Sequence, residues 1–189
     1  MKKQLNEMTN SELGELFPII ISDPNPNWTS IFEDEKKKII ASLGKQKIVS
    51  IEHIGSTAVP YLKAKPTIDI LIEVPPSFDK EDFIKKITAL DYYYSPKPEN
   101  PAPHMMFMKG YSLNGFVGQA FHVHIRYKGD WDELYFRDYL RIHPKVAKEY
   151  GELKVKLSVQ YRNDREEYTN LKSDFIKRVT QIARKSKNK

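Results

Sequence analysis

No cysteine occurs among the 189 residues, which excludes disulfides and thiolate-bound zinc. No apolar run approaches the roughly 18 residues that span a bilayer, so no membrane partner is expected. The opening residues, Met1 to Met8, are polar where a secretory signal would carry its apolar core, and a cytoplasmic location is the expectation. Nor is the body of the chain charged in excess. The net charge is +6, yet residues 177–189 hold six basic and no acidic side chains. Setting those six aside from the 31 basic residues leaves 25 against 25 acidic over residues 1–176. A nucleic-acid partner is therefore not expected of the body, and only a basic C-terminal tail offers one. What remains is a chain 40% hydrophobic and 30% charged, long enough for one domain with a buried core.

The pattern along the chain reads as strands early and helices late. Residues 1–27 are expected to form an N-terminal extended segment, because Pro18, Pro24 and Pro26 and the Asn/Asp content favour turns. A helix follows, with Ser30 and Glu33 at capping-box spacing, apolar residues from Trp28 to Leu43 at helical spacing, and Gly44 as its stop. Residues 48–54 and 68–74 are candidate strands. In the second, Ile68, Ile70, Ile72 and Val74 share one face, while Asp69, Leu71 and Glu73 share the other. A helix is predicted over 78–90, a short strand over 92–94, and a loop over 96–103, where four prolines fall in eight residues. Residues 104–108 and 119–127 are further strands, joined by a loop carrying Gly110, Gly115 and Gly118. In the latter strand Phe121, Val123 and Ile125 oppose His122, His124 and Arg126. Helices are predicted from Asp132, over 145–161 and over 166–184. The fold class is α+β, a mixed sheet flanked by helices with C-terminal helices, over a domain spanning 28–176.

The segment from His53 to Asp69 carries the chemistry. A strand ends in Gly55-Ser56-Thr57, where glycine lets backbone approach a ligand and the hydroxyls add donors. Lys63 and Lys65 follow, and Asp69 lies on the polar face of the next strand. Donors, a cation and a carboxylate at short separation suit a metal-bound nucleotide or another phosphate-containing small molecule. Gly55, Ser56, Thr57, Lys65 and Arg126 are the candidate phosphate-binding residues. His53 shares its face with Val49 and Ile51, so a structural role is expected for it. Arg137 and Arg141 rank below Arg126, which shares its face with the two histidines.

The strings Glu52-His53-Ile54-Gly55-Ser56-Thr57-Ala58-Val59-Pro60 and Lys65-Pro66-Thr67-Ile68-Asp69-Ile70 resemble the signature of the GrpB family. The resemblance extends to His122-Val123-His124, to Phe136-Arg137-Asp138-Tyr139-Leu140-Arg141, and to Tyr168 and Lys172. It implies membership of the nucleotidyltransferase superfamily and a nucleotidyltransferase-like sheet. Some members are fused to a dephospho-coenzyme A kinase domain, which implies nucleotide or cofactor metabolism. In active nucleotidyltransferases a Gly-Ser turn holds triphosphate, and two or three carboxylates bind the divalent metals. Gly55, Ser56 and Asp69 match that plan, with Asp69 as the catalytic carboxylate. Position 71 departs from it, being Leu, and Glu73 lies roughly 13 Å from Asp69 along an extended strand.

His122 and His124 are spaced i, i+2 on one strand face. With Asp69 they make a candidate metal site for Mg, Mn or Zn, the nitrogen donors leaning away from magnesium. Lining a polar cleft without metal is the competing reading. Three functions stay open at this point: a metal-assisted nucleotidyltransferase, a phosphate-binding module without transfer chemistry, and an RNA-binding accessory protein acting through residues 177–189.

Overall fold

The computed structural model describes residues 4–187. Among these, five strands form one mixed sheet: β1 (Ser50–Ile54), β2 (Thr67–Val74), β3 (Tyr93–Pro96), β4 (Met105–Ser112) and β5 (Gly115–Tyr127). Their order is β1-β2-β5-β4-β3. Only the β2–β5 pair is parallel, and its register sets Asp69 beside His122 and Leu71 beside His124. The helices are α1 (Asn10–Leu16), α2 (Trp28–Leu43), α3 (Lys80–Thr88), α4 (Asp132–Ile142), α5 (Pro144–Gln160) and α6 (Arg165–Lys187). The α+β expectation holds, with helices flanking a five-stranded sheet.

Period-two alternation decides which side of the sheet becomes core. Ile68, Ile70, Ile72, Val74, Phe121, Val123 and Ile125 are all buried on one face. Trp28, Phe32, Ile39 and Leu43 of α2 and Phe83 and Ile87 of α3 close over them. Burying a side chain of this size contributes about 1.5–3 kcal/mol. A second cluster joins α4, α5 and α6 through Leu140, Ala147, Tyr150 and Val179, and takes in Val59 and Leu62 from the β1–β2 connection. The helical half is thereby bolted to the loop that follows the Gly-Ser turn.

Three expectations change. The N-terminal segment is not extended throughout: Asn10–Leu16 is helical, started by a reciprocal Thr9–Glu12 capping box. Its local capping chemistry outweighs the prolines, which all lie beyond its end. The capping box assigned to Ser30 and Glu33 does not form; α2 begins at Trp28, and the Ser30 hydroxyl donates to the Asn27 carbonyl. The glycine-bearing segment between the last two strands is no loop. It extends both strands into a hairpin, with a register shift between Lys109 and Tyr111. Gly110 there packs against the Gln119 carbonyl at a distance a Cβ would violate. The C-terminal basic segment is helical through Lys187, and Arg184 pairs with Asp130 and Asp132.

Candidate functional site

The Gly-Ser turn and the carboxylate are fitted to each other. β1 runs antiparallel to β2, so Ile54 pairs with Asp69 and the chain turns at Gly55 directly over the carboxylate. Gly55 has φ +71°, and a Cβ there would fall 2.5 Å from Asp69 Oδ2. Both facts demand glycine. Behind the turn, His53 is buried, stacked on Phe32, and 3.0 Å from the Thr57 hydroxyl. Arg137 donates to Glu52 and to the His53 carbonyl, and Arg141 donates to the Ala58 carbonyl. These residues hold the turn from its back.

Asp69, His122 and His124 meet. Asp69 Oδ1 lies 3.3 Å from His122 Nδ1 and 3.6 Å from His124 Nε2. All three ligand atoms fall within 4.8 Å of one another. On the far side of His122, Nε2 lies 2.6 Å from the Tyr111 hydroxyl, and the two rings stack. Burial pushes the His122 imidazolium down to about 4, against the opposing pull of Asp69, so the ring is neutral at pH 7. Burial works to raise the Asp69 carboxyl, but hydrogen bonding and charge from the two histidines outweigh it and hold it below the usual range. An ionised carboxylate and a neutral imidazole have no proton to lose before taking a metal.

A cavity of about 260 Å³ opens from this cluster. Its cationic lining is Lys65 after the turn, Lys154 of α5, and Arg165 and Lys172 of α6; its one carboxylate is Asp69. Ser56 and Thr67 add hydroxyls. Burial weakens the hold of all three lysines on their protons. Burial, with the nearby Arg165 charge, pushes Lys65 down to about 8. Burial and the Lys172 charge push Lys154 down to about 7, and burial pushes Lys172 to about 8. Lys154 Nζ donates to the Lys63 carbonyl at 2.6 Å, and Lys172 Nζ sits 4.1 Å over the Tyr168 ring. Such a cluster is best relieved by an anion.

The sequence-chosen residues divide accordingly. Ser56, Lys65, Asp69 and His122 line the cavity, with His124 beside Asp69 and Gly55 giving the turn its fit. Thr57 does not reach it. Its hydroxyl is buried and donates to the Thr67 carbonyl, because the turn points it into the core. Arg126 also lies elsewhere. It shares the histidines' face but sits further along β5, buried beside Trp131 with Glu133 at 3.9 Å. Glu73 is committed too, accepting from Ser50, from the Gly129 amide and from Trp131. Lys154, Arg165 and Tyr111 were not anticipated. The first two lie on helices whose periodicity speaks only of packing, and Tyr111 lies in the segment read as a loop.

A family model described as GrpB protein matches residues 18–182. A UPF0157 protein of Pseudomonas aeruginosa is 40% identical over 157 residues, covering 82% of this chain and 63% of that one. The UPF0157 protein YqkA of Bacillus subtilis is 36% identical over 167 residues, 86% of this chain and 46% of that one, so this chain spans only part of these two relatives. The glutamate-rich protein GrpB of Alkalihalophilus pseudofirmus is 34% identical over 165 residues, with 85% and 93% covered. The crystal structure of the conserved protein GrpB from Enterococcus faecalis superposes with a TM-score of 0.77 at 31% identity, covering 90% of this chain and all of that one.

Proposed function

The chain belongs to the GrpB family, and from that premise we propose that its cleft binds a phosphate-containing small molecule, a nucleotide among the candidates. The observation that carries this is the convergence of Lys65, Lys154, Arg165 and Lys172 on one cavity that holds a single carboxylate. An anion neutralises the cluster, and Ser56 and Thr67 supply neutral donors to phosphate oxygens. The cavity is smaller than the roughly 300–1,000 Å³ of drug-sized pockets. It fits the phosphate end of a ligand better than a whole nucleotide, whose base would lie outside. In this reading Asp69, His122 and His124 hold a divalent cation beside the phosphate.

Nucleotidyl transfer, in the nucleotidyltransferase-like fold that the resemblance implies, is the second reading. Gly55, Ser56 and Asp69 favour it. The rest of the donor set does not fit a site of two metals between carboxylates. Leu71 is fully buried where the second carboxylate belongs, and the Glu73 carboxylate is occupied by three donors. These two observations favour a binding module over a two-metal transferase.

Calorimetry with inorganic pyrophosphate and nucleoside triphosphates, with and without divalent metal, tests the proposal. Expected is saturable binding of pyrophosphate that weakens at least tenfold in Lys172→Met. Binding that is absent, or equal in parent and variant, overturns the reading. Release of pyrophosphate from a triphosphate would instead establish transfer.

A further inference from the structure

The resemblance implies divalent metals held by two or three carboxylates, and the donor atoms around Asp69 disagree with it. We infer that Asp69, His122 and His124 form a single transition-metal centre of zinc type, with Tyr111 as the outer partner that orients His122. The inference deepens the reading above and rests on the same cavity, since the ion would form one wall of the phosphate site.

Three lines of geometry carry it. The first is donor type. Two imidazole nitrogens and one carboxylate oxygen suit Zn²⁺ and its neighbours, whereas Mg²⁺ takes oxygen ligands and keeps its waters. Among the described residues this is the one group of three such side chains with converging ligand atoms. The second is spacing. A tetrahedral ion with bonds of about 2.1 Å sets its ligand atoms about 3.4 Å apart. An octahedral ion with similar bonds sets neighbouring ligands only about 3.0 Å apart. The separations from Asp69 Oδ1 are 3.3 and 3.6 Å, nearer the tetrahedral edge than the octahedral one, and all three ligand atoms lie within 4.8 Å of one another. The third is the parallel β2–β5 register, which sets Asp69 beside His122 and brings His124 in from the next position on the same face. Two backbones hydrogen-bonded to each other thus fix the ligands, so the site is assembled before any ion arrives.

Tyr111 completes the arrangement. With His122 bound through Nδ1, its proton sits on Nε2, which then donates to the Tyr111 oxygen at 2.6 Å. This hydrogen bond selects the tautomer and the ring angle, as outer partners of metal-binding histidines do. The charge of Arg165, which lines the anion cavity, acts on the same hydroxyl. Tyr111 therefore joins the metal ligand to the anion pocket, and it is a positioning residue rather than a ligand. Three protein ligands leave a fourth position open, and a phosphate oxygen or water would fill it.

The experiment uses the full chain stripped by a chelator and reloaded. Competition against a chromophoric chelator measures Zn²⁺ affinity, and Mg²⁺ is measured by displacement. One Zn²⁺ per chain is expected, at least a thousandfold tighter than Mg²⁺. Asp69→Asn and His124→Ala should each weaken Zn²⁺ at least a hundredfold, and Tyr111→Phe by about 10–100-fold. Tyr111→Phe keeps its ring against Phe17 and His122, so folding is preserved and the loss reports the hydroxyl alone. Cobalt loading should give the strong visible bands of four-coordinate Co²⁺ in the parent, and shifted bands in Tyr111→Phe. Zn²⁺ and Mg²⁺ within tenfold of each other, indifference to both Asp69→Asn and His124→Ala, or a weak octahedral cobalt spectrum would overturn the centre. Unchanged affinity in Tyr111→Phe would remove Tyr111 from it. Pyrophosphate binding to the stripped protein separates the two proposals. If it persists while Zn²⁺ binding fails, only the metal centre falls. If it fails in the Zn²⁺-loaded protein as well, the phosphate reading falls and the metal centre stands.

Discussion

The polar face of the β2–β5 pair has two ends with opposite fates. At one end Glu73 and Arg126 are buried, and Glu73 accepts from Ser50, Gly129 and Trp131. At the other, Asp69 and His122 open onto a cavity rimmed with cations. Leu71 and His124 lie between them. Both ends have the same alternation and similar residue types. What differs is the covering structure. The chain after β5 folds back through Trp131 to close the first end, whereas α5 and α6 stand over the second with lysines rather than acceptors. Glu73, satisfied by three donors, supports the fold, and charged groups left facing one another are free to bind.

That contrast can be broken most forcefully at Glu73. Glu73→Ala leaves buried donors unpaired, and a loss of about 3 kcal/mol is expected by urea unfolding. A loss under about 1 kcal/mol would mean that this end is not held as described. The next effect is acid sensitivity. His53 is buried and held down to about 4 from 6.5. The unfolded chain binds the extra proton first, so this stability is complete above pH 6.5 and is lost as pH falls to about 4. The contribution is about 3 kcal/mol. His122 titrates in the same window, so His53→Gln should flatten the profile without abolishing it. A parent profile flat between pH 4 and 6.5 would contradict the burial of both rings.

The open end predicts the reverse behaviour. Lys154→Met and Lys172→Met remove like charges from a crowded site, so thermal stability should hold or rise. Pyrophosphate affinity should nevertheless fall at least tenfold, about 1.4 kcal/mol. The anion favours protonated lysines with values of about 7 and 8, so affinity in the parent should fall as pH rises through that range. Binding should take up protons at pH 8, which calorimetry in two buffers of different ionisation heat would read. The smallest effect is expected at Arg126. Arg126→Met should leave pyrophosphate affinity within threefold of the parent, because the side chain is enclosed beside Trp131. A tenfold loss there would place Arg126 in the site after all.

Much of the fold was legible because periodicity carries it. Alternation in Ile68–Val74 and Phe121–Ile125 revealed both central strands, and helical spacing revealed α2 to α6. The hairpin end escaped because Gly110, Gly115 and Gly118 suggest a loop, whereas Gly110 is there to let two strands approach. Within the site, Ser56, Lys65, Asp69 and His122 were recognisable from local pattern. Thr57 and Arg126 were misplaced for one reason. Alternation assigns a residue to a face, but not to a position along that face or to a partner. Lys154 and Arg165 gave no signal, since a lysine or arginine in a helix reads as solvated surface until a neighbouring element covers it.

By itself the sequence determined the sheet's two faces, the glycine turn and the carboxylate behind it, because these follow from the dihedral range of glycine and the two-residue period of a strand. Tertiary structure alone decided that β2 and β5 lie side by side, that Asp69 thereby meets two histidines from a strand more than fifty residues away, and that four cations from three segments surround the result. Those relations depend on which strands pair and where the helices dock. Such choices are settled by burial summed over the whole core, and no short stretch of residues contains them.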